Sequence, residues 1–261
     1  MNNEDKFLLA AIRDRERQCS ENSMITNSVF LDMRERSVVA SSRREYPDVS
    51  TVFYGVFDDA ERTVALFLPE YINADDIHSY FEQCPEADPL AVIEIVKDKF
   101  SPALTHRDYL GALMALGIKR EMTGDIIVSE SGCRVAVLEK IAPFIAENLV
   151  KAGRGSLNAK IIAPHLAREG TKAQGVPDSF TVSSMRLDSV VKNAFRVSRS
   201  DAVSAIESGV VFVNDLECLK PDKKIGAGDK VVFRRKGRII ITDCSSVSKK
   251  GRIIVCVDKF C

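Results

Sequence analysis

The run of residues 186–214 constrains the fold more than any other part of this 261-residue chain. Apolar residues recur there at helical spacing and form one stripe: Leu187, Val190, Val191, Ala194 and Phe195. This stripe predicts an amphipathic helix from about Ser184 to Phe195. The opposite stripe of the same helix consists of Arg186, Ser189, Lys192, Asn193 and Arg196. Three cations on one helix face form a surface that suits phosphate groups.

A second helix is predicted to begin at Ser198 and to end before Gly209. Ser198 and Asp201 have the spacing of a capping box, and glycine suits the left-handed conformation that often ends a helix. Arg199 then falls in the first turn, where the helix dipole disfavours a cation. Two interpretations stay open. Arg199 clamps a phosphate at this helix end, or it only pairs with Asp188 or Asp201.

Strand and turn signals follow the two helices. Val210 to Val213 predict a strand that leads into a hairpin turn at Asn214-Asp215. A second turn is predicted at Gly226 to Asp229, before a strand from Lys230 to Phe233. The region therefore predicts two helices packed on a small sheet.

This order of elements resembles the alpha-L domain, an RNA-binding domain named after the fourth protein of the small ribosomal subunit. The matching residues are Arg186-Leu187-Asp188, Ser198-Arg199-Ser200, Ala202, Gly209, Val213-Asn214, Lys220-Pro221 and Gly228-Asp229. The resemblance implies RNA contacts through basic and hydroxyl side chains of this domain. The residues expected to bind RNA are Arg186, Lys192, Arg196, Arg199, Ser200, Lys220, Lys223 and Lys224. Among them, Arg186 and Arg199 are expected to matter most.

Segments outside this domain are similar to the YlmH family of bacterial proteins. They are Phe30–Glu35, Leu104–Val128 and Lys249–Ile253, and Met33 stands where a proline is expected in the family. The resemblance implies a non-enzymatic protein of the large ribosomal subunit that acts in rescue or quality control of stalled translation. Its implied partners are large-subunit ribosomal RNA, tRNA and ribosome-associated quality-control factors.

The distribution of charge agrees with an RNA-binding C-terminal region. The whole chain has a formal net charge of zero, which alone argues against a nucleic-acid binder. Residues 183–261, however, contain 16 Lys and Arg against 9 Asp and Glu, a balance of +7. Residues 1–182 contain 21 against 28, a balance of −7. The positive charge therefore concentrates in the region that is expected to bind RNA.

The chain as a whole predicts an α+β protein. Its expected segments are an N-terminal α/β segment (1–86), a ferredoxin-like, RNA-recognition-like middle domain (87–167), a linker (168–182) and the alpha-L domain with a C-terminal strand (183–261). The middle domain follows the order strand-helix-strand-strand-helix-strand. Its inner strands, Ala91–Glu94 and Asp125–Val128, lack the aromatic residues on which such sheets stack bases. We therefore expect it to pack or to dock a protein.

Cysteines and histidines indicate neither a metal site nor a catalytic site. The seven cysteines include no Cys-x-x-Cys pair, which is typical of a reduced cytoplasmic protein. His78, His106 and His165 lie apart, without a nucleophile at a recognisable spacing. We expect a cytoplasmic monomer without cofactor, metal or catalytic residues. We recognise neither a signal peptide nor an apolar run long enough to span a membrane, so we expect no membrane association.

Two other functions stay open at this point. Alpha-L domains also accompany RNA-modifying enzymes, in which the domain targets a catalytic partner. Neither a dinucleotide-binding glycine motif nor a phosphate-binding loop supports that alternative. The acidic first segment would instead suit a scaffold for cell-division or other proteins.

Overall fold

The computed structural model describes residues 3–43, 45–58, 60–98, 102–153, 155–167 and 175–260. The chain divides into two compact units, Met1–Lys172 (unit 1) and Ala173–Cys261 (unit 2). Each unit combines helices with antiparallel sheet. The predicted α+β class is therefore confirmed.

Unit 1 begins with a three-stranded sheet. The elements of this part are α1 (Asn3–Asn22), β1 (Thr26–Leu31), α2 (Met33–Ser41), β2 (Val49–Tyr54), β3 (Thr63–Pro69) and α3 (Ile77–Gln83). The strands pair antiparallel in the order β1-β3-β2. Every residue of the central strand β3 is buried, because both faces of this strand are covered. Ala65 and Phe67 share one core with Ile12 of α1, whereas Val64 and Leu66 face the second sheet.

The second sheet of unit 1 has the strand order of a ferredoxin-like fold. Its elements are β4 (Leu90–Lys97), α4 (His106–Ala115), β5 (Thr123–Val128), β6 (Gly132–Leu138), α5 (Ala142–Asn148), β7 (Lys151–Ala152), β8 (Gly155–Ile162) and the short α6 (Pro164–Ala167). The strands pair antiparallel in the order β5-β6-β4-β8-β7. The four longer strands reproduce the predicted split βαβ arrangement, and β7 adds a short edge.

Both faces of this second sheet contribute to cores. Ile93 belongs to a core with Tyr109 of α4 and Ile145 of α5. On the opposite face, Leu90 and Val92 share a core with residues of the first sheet. An RNA-recognition sheet must expose that face to stack bases. Here a large part of the face packs within unit 1.

Unit 2 is a six-stranded antiparallel sheet with two helices. Its elements are β9 (Val176–Val182), α7 (Leu187–Ala194), α8 (Arg199–Glu207), β10 (Val211–Val213), β11 (Leu216–Glu217), β12 (Lys230–Phe233), β13 (Gly237–Asp243) and β14 (Ile253–Phe260). The strand order is β11-β10-β12-β13-β14-β9. The predicted apolar stripe of the first helix lies in the core, because all five of its residues are buried. The predicted hairpin turn is also confirmed, since Asn214 and Asp215 adopt φ values of 54° and 65°.

The predicted linker at residues 168–182 is partly wrong. Residues 168–174 lie outside the described part of the chain, but Val176–Val182 form β9 and pair with β14. The glycine and proline content suggested a linker. Proline is tolerated here because β9 is an edge strand of the described sheet.

Candidate nucleic-acid interface

The first turn of α7 is tied to a distant loop, residues 220–225, which we call the lysine loop. The backbone N–H of Leu187 donates to the Lys223 carbonyl (2.9 Å), and that of Asp188 donates to the Pro221 carbonyl (2.9 Å). A helix leaves its first N–H groups without internal partners, and the loop supplies them. Arg186 also forms a β-bridge with Lys224. The lysine loop therefore lies against the start of α7, with Lys224 paired to Arg186.

Asp188 joins the two arginines that were expected to matter most. Its side chain is 2% exposed and accepts hydrogen bonds from Nε and Nη2 of Arg186, both at 3.1 Å. Nη2 of Arg199 lies 3.4 Å from Oδ2 of the same carboxylate. Burial opposes ionisation, but hydrogen bonds from both arginines outweigh it and hold the pKa of the Asp188 carboxyl below its ordinary value. Asp188 therefore joins the start of α7 to the start of α8 through its two arginine partners.

Pairing with Asp188 does not withdraw the arginines from solvent. The side chain of Arg186 is 41% exposed and that of Arg199 is 70% exposed. Within the described residues, Nη1 of Arg186 makes no hydrogen bond. The carboxylate thus fixes one edge of the guanidinium and leaves another edge available to an anion. Of the two interpretations of Arg199, its pairing with Asp188 is observed, and phosphate binding remains compatible with it.

The predicted common face of three cations on the first helix is wrong. Arg186 precedes α7 as its N-cap, with an extended backbone, and Arg196 follows the helix with φ 53°. The helix begins later than predicted because the Met185 carbonyl accepts a hydrogen bond from Ile225, so the chain there pairs with the lysine loop. Only Lys192 remains a cation of the helix itself. The two arginines therefore mark opposite ends of α7.

The start of α8 agrees with its prediction. Ser198 is the N-cap, and its Oγ accepts a hydrogen bond from the Asp201 N–H at 3.0 Å. The Oγ atoms of Ser198 and Ser200 are 2.8 Å apart. Ser200 is exposed and lies next to Arg199 at the helix start. A phosphate bound by Arg199 would also meet this hydroxyl and the first N–H groups of α8.

Four lysines complete the predicted site: Lys192, Lys220, Lys223 and Lys224. All are exposed, and within the described part of the chain none forms an ion pair. In this respect they differ from the two arginines, which both engage Asp188. The site combines two fixed guanidinium groups with ammonium groups on flexible side chains. Such a site can bind several phosphates of one polyanion.

One group of cations was missed at the sequence level. Arg234, Arg235 and Lys236 occupy the turn between β12 and β13 and are exposed. The side chain of Arg234 lies 5.5 Å from the ring centroid of Phe212, and that of Lys236 lies 5.9 Å from the ring of Phe233. The Arg-Arg-Lys run in the sequence could have identified these three cations as a candidate phosphate-binding group.

The second sheet of unit 1 also contains cations. Two of them, on the face opposite α4 and α5, pair with Glu94. Glu94 on β4 accepts a hydrogen bond from Nε of Arg134 on β6 (3.3 Å) and pairs with Nζ of Lys160 on β8 (2.7 Å). The bond to Lys160 is the main reason that the pKa of Glu94 is lowered. Arg134 further donates to the Ala167 carbonyl (3.2 Å). This cluster is an ion-pair network that links side chains of three strands of one sheet.

The residues that most resemble a catalytic cluster surround a very small cavity. Tyr54, His78, Asp88 and His165 are among the residues lining a space of about 10 Å³, far below the several hundred Å³ typical of a ligand pocket. In the described ranges, no group of three or more His, Cys, Asp or Glu side chains is arranged to hold a metal ion. No described helix has the length and hydrophobicity needed to cross a bilayer.

Comparisons with known proteins place the chain among RNA-binding proteins. A family described as a putative RNA-binding domain in YlmH matches residues 88–163, the second sheet of unit 1. The chain is 34% identical over 225 residues to the ribosome-associated protein quality control protein P2 of Bacillus subtilis (strain 168), covering 85% of this chain and 82% of the relative. Among solved structures, the cell division protein ylmH from Streptococcus pneumoniae matches with a TM-score of 0.47 and 20% identity, over 65% of this chain and 97% of that chain.

Proposed function

The chain belongs to the YlmH family of RNA-binding proteins, and on that basis we propose that it binds RNA mainly through unit 2 and acts at the ribosome without catalysing a reaction. One observation carries this proposal. The buried Asp188 holds Arg186 and Arg199 at the start of two helices, and the lysine loop adds three exposed lysines beside them. The N-terminal end of α8 and clustered cations are both typical of phosphate binding.

The ribosomal role follows from the relative rather than from the geometry. The Bacillus subtilis relative is named for ribosome-associated protein quality control. We propose the same setting for this chain, with large-subunit ribosomal RNA and tRNA as its RNA partners and quality-control factors as its protein partners. A monomer in the cytoplasm is part of the same proposal.

Co-sedimentation with purified large ribosomal subunits tests the proposal. The wild-type chain should sediment with the subunits, and the binding should weaken linearly in log salt concentration. A Lys223→Gln, Lys224→Gln variant should bind more weakly while melting at the wild-type temperature, because neither side chain forms an ion pair within the described residues. Wild-type protein that stays in the supernatant at low salt would contradict the proposal.

A second candidate places RNA on the second sheet of unit 1. The matched family is described as a putative RNA-binding domain, and Arg107, Lys119 and Lys151 are exposed there. Against it, Arg120 is engaged in hydrogen bonds to the carbonyls of Thr123 and Gly124, and a large part of the face that would stack bases packs within unit 1. The variant Arg107→Gln, Lys119→Gln, Lys151→Gln distinguishes the candidates. It should bind subunits as the wild type does if unit 2 carries the affinity.

A further inference from the structure

We propose that the turn between β12 and β13 is a second phosphate-binding contact for RNA, formed by Arg234, Arg235 and Lys236. This inference rests on the proposed function, because it assigns to RNA a surface that lies outside the predicted site. It adds a contact at the other end of α7 from the lysine loop. The turn thereby gives unit 2 two separate points of attachment to one polyanion.

Positive charge is concentrated on this turn. Three consecutive cations lie exposed on one short turn, where they repel each other. Within the described residues, neither Arg235 nor Lys236 forms an ion pair. Arg235 also adopts φ 67°, a conformation that favours glycine or asparagine. The conformation of the turn therefore does not call for arginine at this position, and its charge is the property that a ligand would use.

Aromatic rings contact the two cations on either side of Arg235. Arg234 lies over Phe212, which is fully buried, and Lys236 lies over Phe233. On the next strand, the guanidinium of Arg238 is 4.5 Å from the ring centroid of Phe260. A guanidinium that stacks on a ring keeps its N–H groups at its edge, where they can donate to phosphate oxygens. The ring contacts therefore order Arg234 and Lys236, which flank Arg235, before a ligand arrives, and this lowers the entropic cost of binding.

The turn between β12 and β13 lies at the opposite end of α7 from the lysine loop. Phe195, the C-cap of α7, packs edge-to-face on Phe233 with a centroid distance of 5.5 Å. The N–H of Arg234 donates to the Val210 carbonyl (3.0 Å), which fixes the turn beside the residues after α8. The turn thus lies at the Arg196 end of α7, whereas the lysine loop lies at the Arg186 end. An eight-residue helix is about 12 Å long.

That separation selects the class of ligand. A single free phosphate cannot touch both ends of a helix of about 12 Å, but successive or facing phosphates of an RNA can. The two cationic surfaces belong to the same compact unit. A polyanion can use both of them at once, and RNA is the polyanion that the proposed function supplies.

The test compares two turns at opposite ends of β13. The variant Arg235→Gln, Lys236→Gln removes two cations from the proposed phosphate-binding turn. The control Lys249→Gln, Lys250→Gln removes two exposed cations from the turn between β13 and β14, so both variants change the net charge equally. A second variant, Arg235→Gly, Lys236→Gln, suits the positive φ and guards against misfolding. Affinities are measured over a salt series for a short RNA hairpin, for purified large ribosomal subunits and for phosphatidylglycerol vesicles.

The proposal expects both turn variants to bind the RNA hairpin and the subunits roughly tenfold more weakly, with the salt slope reduced by about 1 for each cation that no longer meets a phosphate. The control should change affinity less than about twofold. The proposal is overturned if the turn variants bind RNA as the wild type does, if the control loses as much affinity, or if only vesicle binding falls. Wild-type protein that binds no RNA overturns this inference and the proposed function together.

The same data separate the two proposals. If the wild type binds the hairpin through the turn but does not bind subunits, the ribosomal function fails and the second phosphate-binding surface stands. If the turn variants bind subunits normally while Lys223→Gln, Lys224→Gln does not, the proposed function stands and the second surface fails.

Discussion

The second sheet of unit 1 and the sheet of unit 2 both occur in regions linked to RNA, yet they use their cations differently. In unit 1, Arg134 and Lys160 both pair with Glu94 on the sheet. In unit 2, the buried Asp188 engages two exposed arginines, and the lysines around them form no ion pair within the described residues. A topology shared with RNA-recognition domains therefore does not by itself provide a phosphate surface. We propose that the number of exposed cations that form no ion pair decides which region binds RNA.

Substitutions in the lysine loop should cause the largest loss of RNA affinity. Changing Lys220, Lys223 and Lys224 together to glutamine should weaken RNA binding about 30- to 100-fold and reduce the salt slope by about 3. The thermal midpoint should stay unchanged. The matched variant of unit 1, Arg107→Gln, Lys119→Gln, Lys151→Gln, removes the same charge and should leave RNA affinity within about twofold of the wild type. Equal losses in both variants would remove the distinction between the regions.

The arginine pair should show a combined effect on binding and stability. In Arg186→Ala, Arg199→Ala, RNA affinity should fall at least tenfold, which corresponds to about 1.4 kcal/mol of binding free energy. The midpoint of thermal unfolding should also fall, because Asp188 stays buried without its partners. Co-sedimentation and differential scanning calorimetry on the same protein separate the two effects. A variant that melts earlier but binds RNA normally would show that the arginines serve only Asp188.

The two units should respond to acid in opposite directions. The pKa of Asp188 is lowered in the folded state, so its contribution to the stability of unit 2 is present above its ordinary value and is lost as the pH falls below about 4. The pKa of Asp88 in unit 1 is raised to about 6, mainly by burial. Protonation therefore favours folded unit 1, and its stability should fall as the pH rises from about 4 to about 6.

Urea unfolding at several pH values checks these signs. Asp188→Asn should flatten the acid limb of unit 2, and Asp88→Asn should reduce the loss of unit 1 stability between about pH 4 and pH 6 by about 1 to 3 kcal/mol. Part of the loss should remain, because burial also raises the pKa of Asp125 in unit 1 to about 6. In Asp88→Asn, one amide oxygen replaces the two carboxylate oxygens that accept from Tyr54 (2.9 Å) and from the Leu90 N–H (2.9 Å), so one of these two bonds is lost and stability falls. A wild-type unit 1 that gains stability over that interval would contradict the assignment.

Arg196 should give the smallest effect. It adopts φ 53° without being glycine, so Arg196→Gly removes backbone strain and should raise the free energy of unfolding by about 0.5 kcal/mol. The same change removes one cation and should weaken RNA binding about threefold. Chemical denaturation and a salt series of RNA binding measure both. A destabilised variant would indicate that the Arg196 side chain packs in the fold.

Local patterns predicted much of unit 2 correctly. The apolar spacing that defined the first helix corresponds to its buried face, Ser198 caps the second helix, and Asn214-Asp215 form the hairpin turn. These features depend on a few neighbouring residues. Short-range chemistry is sufficient to predict them.

Features that depend on distant residues were missed. Arg186 lies outside α7 because the lysine loop, more than thirty residues away, pairs with the chain before the helix. Pro177 lies in a strand because β14, near the C-terminus, supplies its neighbour. The ordered turn at Arg234 to Lys236 depends on rings from two strands. Sequence periodicity contains no information on such pairings.

The central claim is that RNA binds unit 2 rather than the second sheet of unit 1. Ultraviolet crosslinking of the full chain to large ribosomal subunits, followed by mass spectrometry of the crosslinked peptides, tests it most directly. We expect crosslinks within residues 186–224 and at the turn 234–236, with none concentrated in residues 88–163. Crosslinks that cluster in residues 88–163 and spare unit 2 would contradict the claim.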